Sequence, residues 1–442
     1  MKIQLSEHFG YAKLLRFTLP SIVMMVFASV YGVVDGFFVS NFVGKTAFTA
    51  VNFIIPFPMI LGAVGFMFGT GGGALIAKTM GEGDHARANR LFSLIVYTSL
   101  GCGVLLAAAG LVVLRPLAMA LGAQGAMLED CVTYGRILLL AIPVYMLQYE
   151  FQCLLVTAEK PTMGLYVTVA AGLTNMVLDA LLVGALPFGL TGAAVATALS
   201  QCVGGVLPLV YFARPNTSLL RLGPTRWDGR ALCKAAGNGS SELMSNISMS
   251  LVSMLYNAQL LRYAGEDGIA AYGVLMYVSM IFQAMFIGYA VGTAPVVSYH
   301  YGAGHPAELR SLLRKSGVVV MVFAGAMFAA ARLLAGPLSR AFVGYDAALL
   351  ALTERAFSIF SFSFLFSGVA IFGSSFFTAL NNGAVSAGIS FLRTLVFQIL
   401  CVLLFPLVWQ VDGIWASIVA AEVMAALVTL VLLRLQRPRY GY

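Results

Sequence analysis

Residues 173–179, Leu173-Thr174-Asn175-Met176-Val177-Leu178-Asp179, sit inside an apolar run from Met163 to Leu186. A stretch this long and this apolar reads as a membrane-spanning helix. On such a helix Asn175 and Asp179, four residues apart, share one face and lie one turn from each other. An aspartate near the middle of a span costs roughly 2.5–3.5 kcal/mol on insertion scales, so it needs a partner or a task. The rest of the chain has the same character. Its 442 residues are 60% hydrophobic and 10% charged, with a mean hydropathy of +0.91. So little charge cannot cover a soluble fold of this size, and the composition specifies an all-α polytopic membrane protein.

Apolar runs of about twenty residues or more predict twelve transmembrane helices, at 14–42, 50–77, 91–114, 131–157, 163–186, 190–213, 232–263, 270–298, 316–335, 348–380, 384–406 and 411–433. Lys and Arg set their orientation. With the N-terminus inside, eighteen cations fall on inside segments and seven, Lys45 among them, on outside segments. This bias predicts an inner-membrane protein with both termini cytoplasmic, and it accounts for the net charge of +8 without nucleic acid. The polar stretch from Lys2 to Arg16 precedes a run long enough to span, so a cleaved signal peptide is not expected. The longest basic connection, between spans six and seven, divides the chain into a first lobe (1–213), a cytoplasmic linker (214–231) and a second lobe (232–442).

The two lobes resemble each other. Gly81-Glu82-Gly83-Asp84-His85-Ala86 matches Gly302-Ala303-Gly304-His305-Pro306-Ala307, Thr157-Ala158 matches Thr378-Ala379, and Gly192 matches Gly413. Each pair is separated by 221 positions, half the chain length. Six spans per lobe give both lobes the same orientation, so the repeat is parallel, about an axis along the membrane normal. Two six-helix lobes with a cleft between them is the architecture of an alternating-access carrier.

The intramembrane polar residues are unevenly shared. Asp35 in span one, Asp179 in span five and Thr197 in span six each lie about seven residues, or roughly 10 Å, below the outer edge, with Asn175 a turn deeper. Two carboxylates, an amide and a hydroxyl form an all-oxygen set that suits a hard cation such as Na⁺, or a proton on a carboxylate. At the 221-residue offset these four positions are Tyr256, Val396, Leu400 and Ile418 in the second lobe, so a cation- or proton-coupling site is confined to the first. The second lobe has charges of its own: Glu242 in span seven, Arg393 in span eleven and Glu422 in span twelve. Arg393 and Glu422 read as an ion pair across neighbouring helices or as substrate contacts. Glu242, with Gln283 and Asn257, is a candidate for the substrate cleft.

Other chemistries find no support. Gly69-Thr70-Gly71-Gly72-Gly73 lacks the Lys-Ser/Thr of a phosphate loop and reads as close helix packing. The six cysteines contain no CxxC pair and read as small core residues; the four histidines lack zinc-ligand spacing. No convergent catalytic set is present, so an enzyme is not expected, nor is a cofactor beyond a coupling ion.

Twelve spans in two lobes, Val34-Asp35-Gly36-Phe37-Phe38-Val39 in span one, the Gly81–Asp84 turn, and Asn175 with Asp179 in span five together resemble the multidrug and toxic compound extrusion (MATE) family, in its bacterial MepA-like branch. The resemblance covers essentially the whole chain. It implies a Na⁺ or H⁺ site at Asp35, Asn175, Asp179 and Thr197, efflux of small organic cations in antiport with that ion, and a monomer in the bilayer. Some members of the family carry a second-lobe carboxylate on spans seven, eight or ten, and here only Glu242 is placed for that role. The alternative is a lipid-linked oligosaccharide flippase of the same superfamily. A flippase would place several cations in the cleft, whereas only Arg393 is plainly intramembrane here.

Overall fold

The computed structural model describes residues 3–442 apart from the side chains of Ser40, Lys45, Thr46, Phe48 and Thr49. Lys2 and the Lys45 side chain, both in the charge count, therefore lie outside the described residues. The chain is built from helices α1 (Tyr11–Phe38), α2 (Lys45–Ile54), α3 (Pro56–Gly81), α4 (His85–Ala120), α5 (Gly125–Leu140), α6 (Ile142–Thr157), α7 (Pro161–Asp179), α8 (Gly189–Ala213), α9 (Gly229–Gly302), α10 (Pro306–Val343), α11 (Ala347–Phe360), α12 (Ser363–Ala379), α13 (Gly383–Phe391), α14 (Phe397–Leu404) and α15 (Pro406–Tyr440). Short π-helical segments follow α1 (Val39–Val43), α7 (Ala180–Ala185) and α13 (Leu392–Val396).

Among the described residues, nine helical stretches are long and apolar enough to cross a membrane. The pairs α5–α6 and α11–α12 make two more crossings, bent by 58° and 50°. As one straight rod, the 74 residues of α9 would run about 110 Å, far beyond a bilayer core of about 30 Å. The backbone breaks at Gly265 (φ 66°, ψ −154°), and Tyr256 stacks on Tyr272 at 5.5 Å across the bend. α9 is therefore two crossings, and the chain makes twelve.

The 221-residue repeat has a physical counterpart. Gly83 (φ 88°) and Gly304 (φ 69°) occupy the same turn of the two lobes, a left-handed conformation that glycine adopts without steric cost. The bends of α5–α6 and α11–α12 fall at Ala141 and at Ser361–Phe362. The second bend forms without the proline that Pro143 supplies in the first. A Cβ on Gly81 would meet the Tyr299 carbonyl at 2.0 Å, and a Cβ on Gly302 would meet the Lys78 carbonyl at 2.0 Å. These are one contact seen from both sides of a pseudo-two-fold axis, since Lys78 and Tyr299 are themselves 221 apart.

That contact lies on the face where the loops 82–84 and 303–305 and both described chain ends gather. Along the same half, Gly71 and Gly239 bring α3 and α9 into backbone contact, with a Cβ on Gly239 falling 1.9 Å from the Met67 carbonyl. Asn381 donates to the Ala74 carbonyl at 3.4 Å. The glycine cluster 69–73 is thus a packing surface: Gly69 meets α6 at Glu150, Gly71 meets α9, and Gly72 meets Ile95 of α4.

The non-helical connection between α8 and α9 runs from residue 214 to residue 228. Asp228 accepts from the backbone N–H of Arg230 and Ala231, both at 3.1 Å, which starts α9 at Gly229. Residues 214–228 lie along α4: Arg221 N–H donates to Asn89 Oδ1 at 2.9 Å and Gly223 N–H to Ser93 Oγ at 3.0 Å. Cys131, Cys153 and Cys401 are buried as expected, but Cys233, in the second turn of α9, is exposed.

Candidate functional site

Two cavities open between the lobes. The first, of about 260 Å³, is walled by α3, α6, α9, α12 and the π-helical segment of the second lobe, and takes in Glu242, Asn246, Gln283 and Arg393. The second, of about 340 Å³, runs into the first lobe and is lined by Tyr31, Asp35, Asn175, Thr197 and Gln201. Met25, Tyr149, Gln152 and Ile287 line both, so a ligand in one cavity has a shared wall with the other.

The four first-lobe candidates come together. Asp179, Asn175 and Thr197 all reach the Asp35 carboxylate, and the Thr197 hydroxyl lies 3.4 Å from Asp35 Oδ1 while also approaching the Ala193 carbonyl at 3.1 Å. Asp179 is completely buried and Asn175 is 1% exposed. No donor among the described groups reaches either Asp179 oxygen or the Asn175 carbonyl oxygen. Two carboxylates are acceptors only. Held side by side without a donor between them they repel, and a proton or a small cation relieves that repulsion. Asp35, Asn175 and Thr197 face the cavity and Asp179 stands behind them.

The helices deliver these groups through irregular turns. Asp179 is the last residue of α7 before the π-helical segment Ala180–Ala185, Asp35 lies four residues before Val39–Val43, and Arg393 lies within Leu392–Val396. An i→i+5 turn redirects a side chain and loosens backbone pairing locally, which is why such turns gather at functional positions.

In the second lobe, Arg393 grips Glu422 with both arms, Nε to Oε2 at 2.9 Å and Nη2 to Oε1 at 3.0 Å. Gln283 Oε1 accepts from the same guanidinium at 3.4 Å, and Gln283 donates to Ser279 Oγ at 2.9 Å. The arginine is thereby neutralised where it borders the cavity. Glu242 lines the same cavity, and among the described residues no arginine or lysine forms an ion pair with its carboxylate.

Asn257 lines neither of these two cavities. The cavity wall on α9 ends near Met249, and Asn257 lies about 12 Å further along the helix. Its helical phase is suitable but its depth is not. Glu150 was missed by the sequence reading. It is completely buried on α6, with the Ser99 hydroxyl of α4 as its neighbour. The only signal was an acid inside span four. It sits behind the cavity wall, against the backbone approach of Gly69.

Comparison with known proteins agrees with this architecture. The MatE family model matches residues 20–181 and again 243–404, one match per lobe. The multidrug export protein MepA of Staphylococcus saprophyticus is 22% identical over 439 residues, covering 96% of this chain and 94% of that protein. MepA of Staphylococcus haemolyticus is 23% identical over 427 residues, covering 94% and 92%. A solved structure described as the outward-facing conformation of a multidrug resistance MATE family transporter of the MOP superfamily superposes with a TM-score of 0.93 at 22% identity, over 99% of this chain and 98% of that one. That likeness is one of fold. Because the family model accounts for most of both lobes, the chain belongs to the MatE family of membrane transporters.

Proposed function

We propose that the protein exports organic cations, exchanging them for inward Na⁺ or H⁺ by alternating access. The observation that carries this reading is the crowding of Asp35 against Asp179, Asn175 and Thr197 at the end of a cavity. Two neighbouring carboxylates without a basic partner, Asp35 on the cavity wall and Asp179 behind it, attract a cation, and they bind a cationic drug or a coupling ion better than both together. Drug enters from the cytoplasmic side and the lobes then rock to the outward-open arrangement. Na⁺ or a proton neutralises the first-lobe carboxylates, and the drug leaves. Glu242, on the first cavity, supplies a second point of attraction for the positive end of a substrate. In this reading the chain ends are cytoplasmic, the protein acts as a monomer, and no cofactor beyond the ion is needed.

Names of the matched relatives support multidrug export. The flippase alternative is disfavoured by the pairing of Arg393 with Glu422, which removes the one cation that would hold a pyrophosphate. The test is dye efflux from proteoliposomes under an imposed Na⁺ gradient or, separately, a pH gradient, for wild type and for Asp35→Asn and Asp179→Asn. Efflux driven by one gradient and lost in both variants is expected and names the ion. Gradient-driven efflux that persists in both variants would make the carboxylates structural.

A further inference from the structure

Three of the four histidines of the chain meet at one place, the seam on the face where the chain ends lie. The segment that precedes α1 is built into that seam. Leu5 and Phe9 are completely buried, in a core that joins residues of both lobes, among them Met80 and Leu309. The Leu5 N–H donates to Glu159 Oε1 of the first lobe at 2.8 Å. The Phe9 N–H donates to Glu308 Oε1 at 3.1 Å, and the Phe9 carbonyl accepts from Lys315 Nζ at 2.6 Å, both partners being on α10 of the second lobe. His8 Nδ1 lies 2.7 Å from Glu308 Oε2. Residues 3–10 therefore strap one lobe to the other across the closed side.

The strap is held against a histidine pair. His300, 2% exposed, places Nε2 at 3.3 Å from the Glu7 carbonyl. A carbonyl only accepts, so Nε2 carries its hydrogen. The Nδ1 of His300 lies 3.4 Å from the Nδ1 of His305. Two facing ring nitrogens share one proton: neutral His300 accepts from His305. A hydrogen on Nδ1 of His300 as well sets two N–H groups against each other and places a positive charge in a buried site. The charged and titratable groups acting on His300 are His305, His8 from the N-terminal side and Glu308 from α10, with the Glu7 carbonyl at its Nε2; Lys13 is held by the Glu7 carboxylate and Lys315 by the Phe9 carbonyl. The contact of His8 with Glu308 is favoured by positive charge on the imidazole and so opposes release. Glu7 is held below the ordinary carboxylate range by its bonds from Lys13 and the Gln4 backbone N–H. Its contribution is present above that range and is lost only as pH falls through its lowered value, so it stays ionised where histidines titrate.

We propose that the His300–His305 pair is an acid-released catch: protonation from the terminal face frees residues 3–10 and allows the lobes to part on that side. The inference does not depend on the coupling ion or on the first-lobe carboxylates. It is tested by hydrogen–deuterium exchange of the full chain in lipid nanodiscs, following the amides of Leu5 and Phe9 at about pH 7.5 and about pH 5.5, corrected for intrinsic exchange. Protection should fall by about tenfold in acid, as one linked proton allows. His305→Asn, a change at an exposed position, should keep the protection seen near neutrality and lose the acid response, as should His300→Gln, which still offers an N–H to the Glu7 carbonyl. Equal protection of the wild type at both pH values would overturn the proposal. So would an acid response that survives in both variants, because the switch would then lie at His8 and Glu308.

Discussion

Arg393 and Arg355 each hold a carboxylate, and the two pairs should respond differently when broken. Arg393–Glu422 is largely buried, with 14% and 6% of the side chains exposed, whereas Arg355–Asp412 has 67% and 35% exposed. Removing one partner of a buried pair strands the other and costs about 3–5 kcal/mol; an exposed pair is screened by solvent and salt. Glu422→Gln should therefore lower the melting temperature in detergent clearly, and Asp412→Asn hardly at all. At the cavity, Glu242→Gln should weaken binding of a cationic dye roughly tenfold, the loss of about one charge contact worth 1.4 kcal/mol. Asn257→Ala, beyond the cavity wall, should leave dye affinity unchanged. Residue chemistry was legible where it was costly. A carboxylate in an apolar run, as at Asp35 or Asp179, announces itself because the bilayer penalises it. Which polar side chains line a cavity depends on depth and neighbours, which apolar runs do not give, as Asn257 and Glu150 both illustrate.

At the scale of the elements, the close approach of α3 and α9 at Gly81 and Gly302 is the feature most exposed to test. A Cβ at either position meets a backbone carbonyl at 2.0 Å, and backbone cannot move aside as a flexible side chain can. Gly81→Ala and Gly302→Ala should drive the lobes apart on the terminal face. Single cysteines placed beside the seam in a cysteine-free background should label faster with a membrane-impermeant maleimide, and gradient-driven efflux should slow. Gly304→Ala is a different experiment, because that residue has φ 69° and nothing within 4 Å of its Cβ. It should cost about 1 kcal/mol of stability through backbone strain without moving the seam. Span number and the matching turns were readable from runs of about twenty apolar residues and from glycines spaced 221 apart. The bend between α11 and α12 at Ser361–Phe362, which carries no proline, and the three π-helical segments were not. Hydropathy averages over a window wider than a bend, and only the packing of neighbouring helices fixes where a ladder of hydrogen bonds shifts register.

For the molecule as a whole, two cavities with a shared wall make competition the expected form of coupling. If ion and drug bind the same first-lobe field, each must weaken the other by the same factor. Titrating a cationic dye at rising Na⁺, or at falling pH, should raise its apparent Kd, and titrating the ion at rising dye should show the same ratio. Asp35→Asn should abolish the competition in both directions. A dye affinity indifferent to both ions would remove this coupling scheme while leaving the fold untouched.

By itself the sequence determined the solvent, the number of crossings, the parallel repeat and the asymmetry that confines the oxygen cluster to one lobe. Each of these follows from local composition or from spacing along the chain, and the bilayer enforces them helix by helix. Only the tertiary structure decided that Asp35, Asn175, Asp179 and Thr197 converge, that Arg393 is neutralised by Glu422, and that the segment before α1 straps the lobes together. Those outcomes turn on distances of a few ångströms between residues as far apart as 306 positions, and such distances are set by how the helices pack, which no single stretch of the chain encodes.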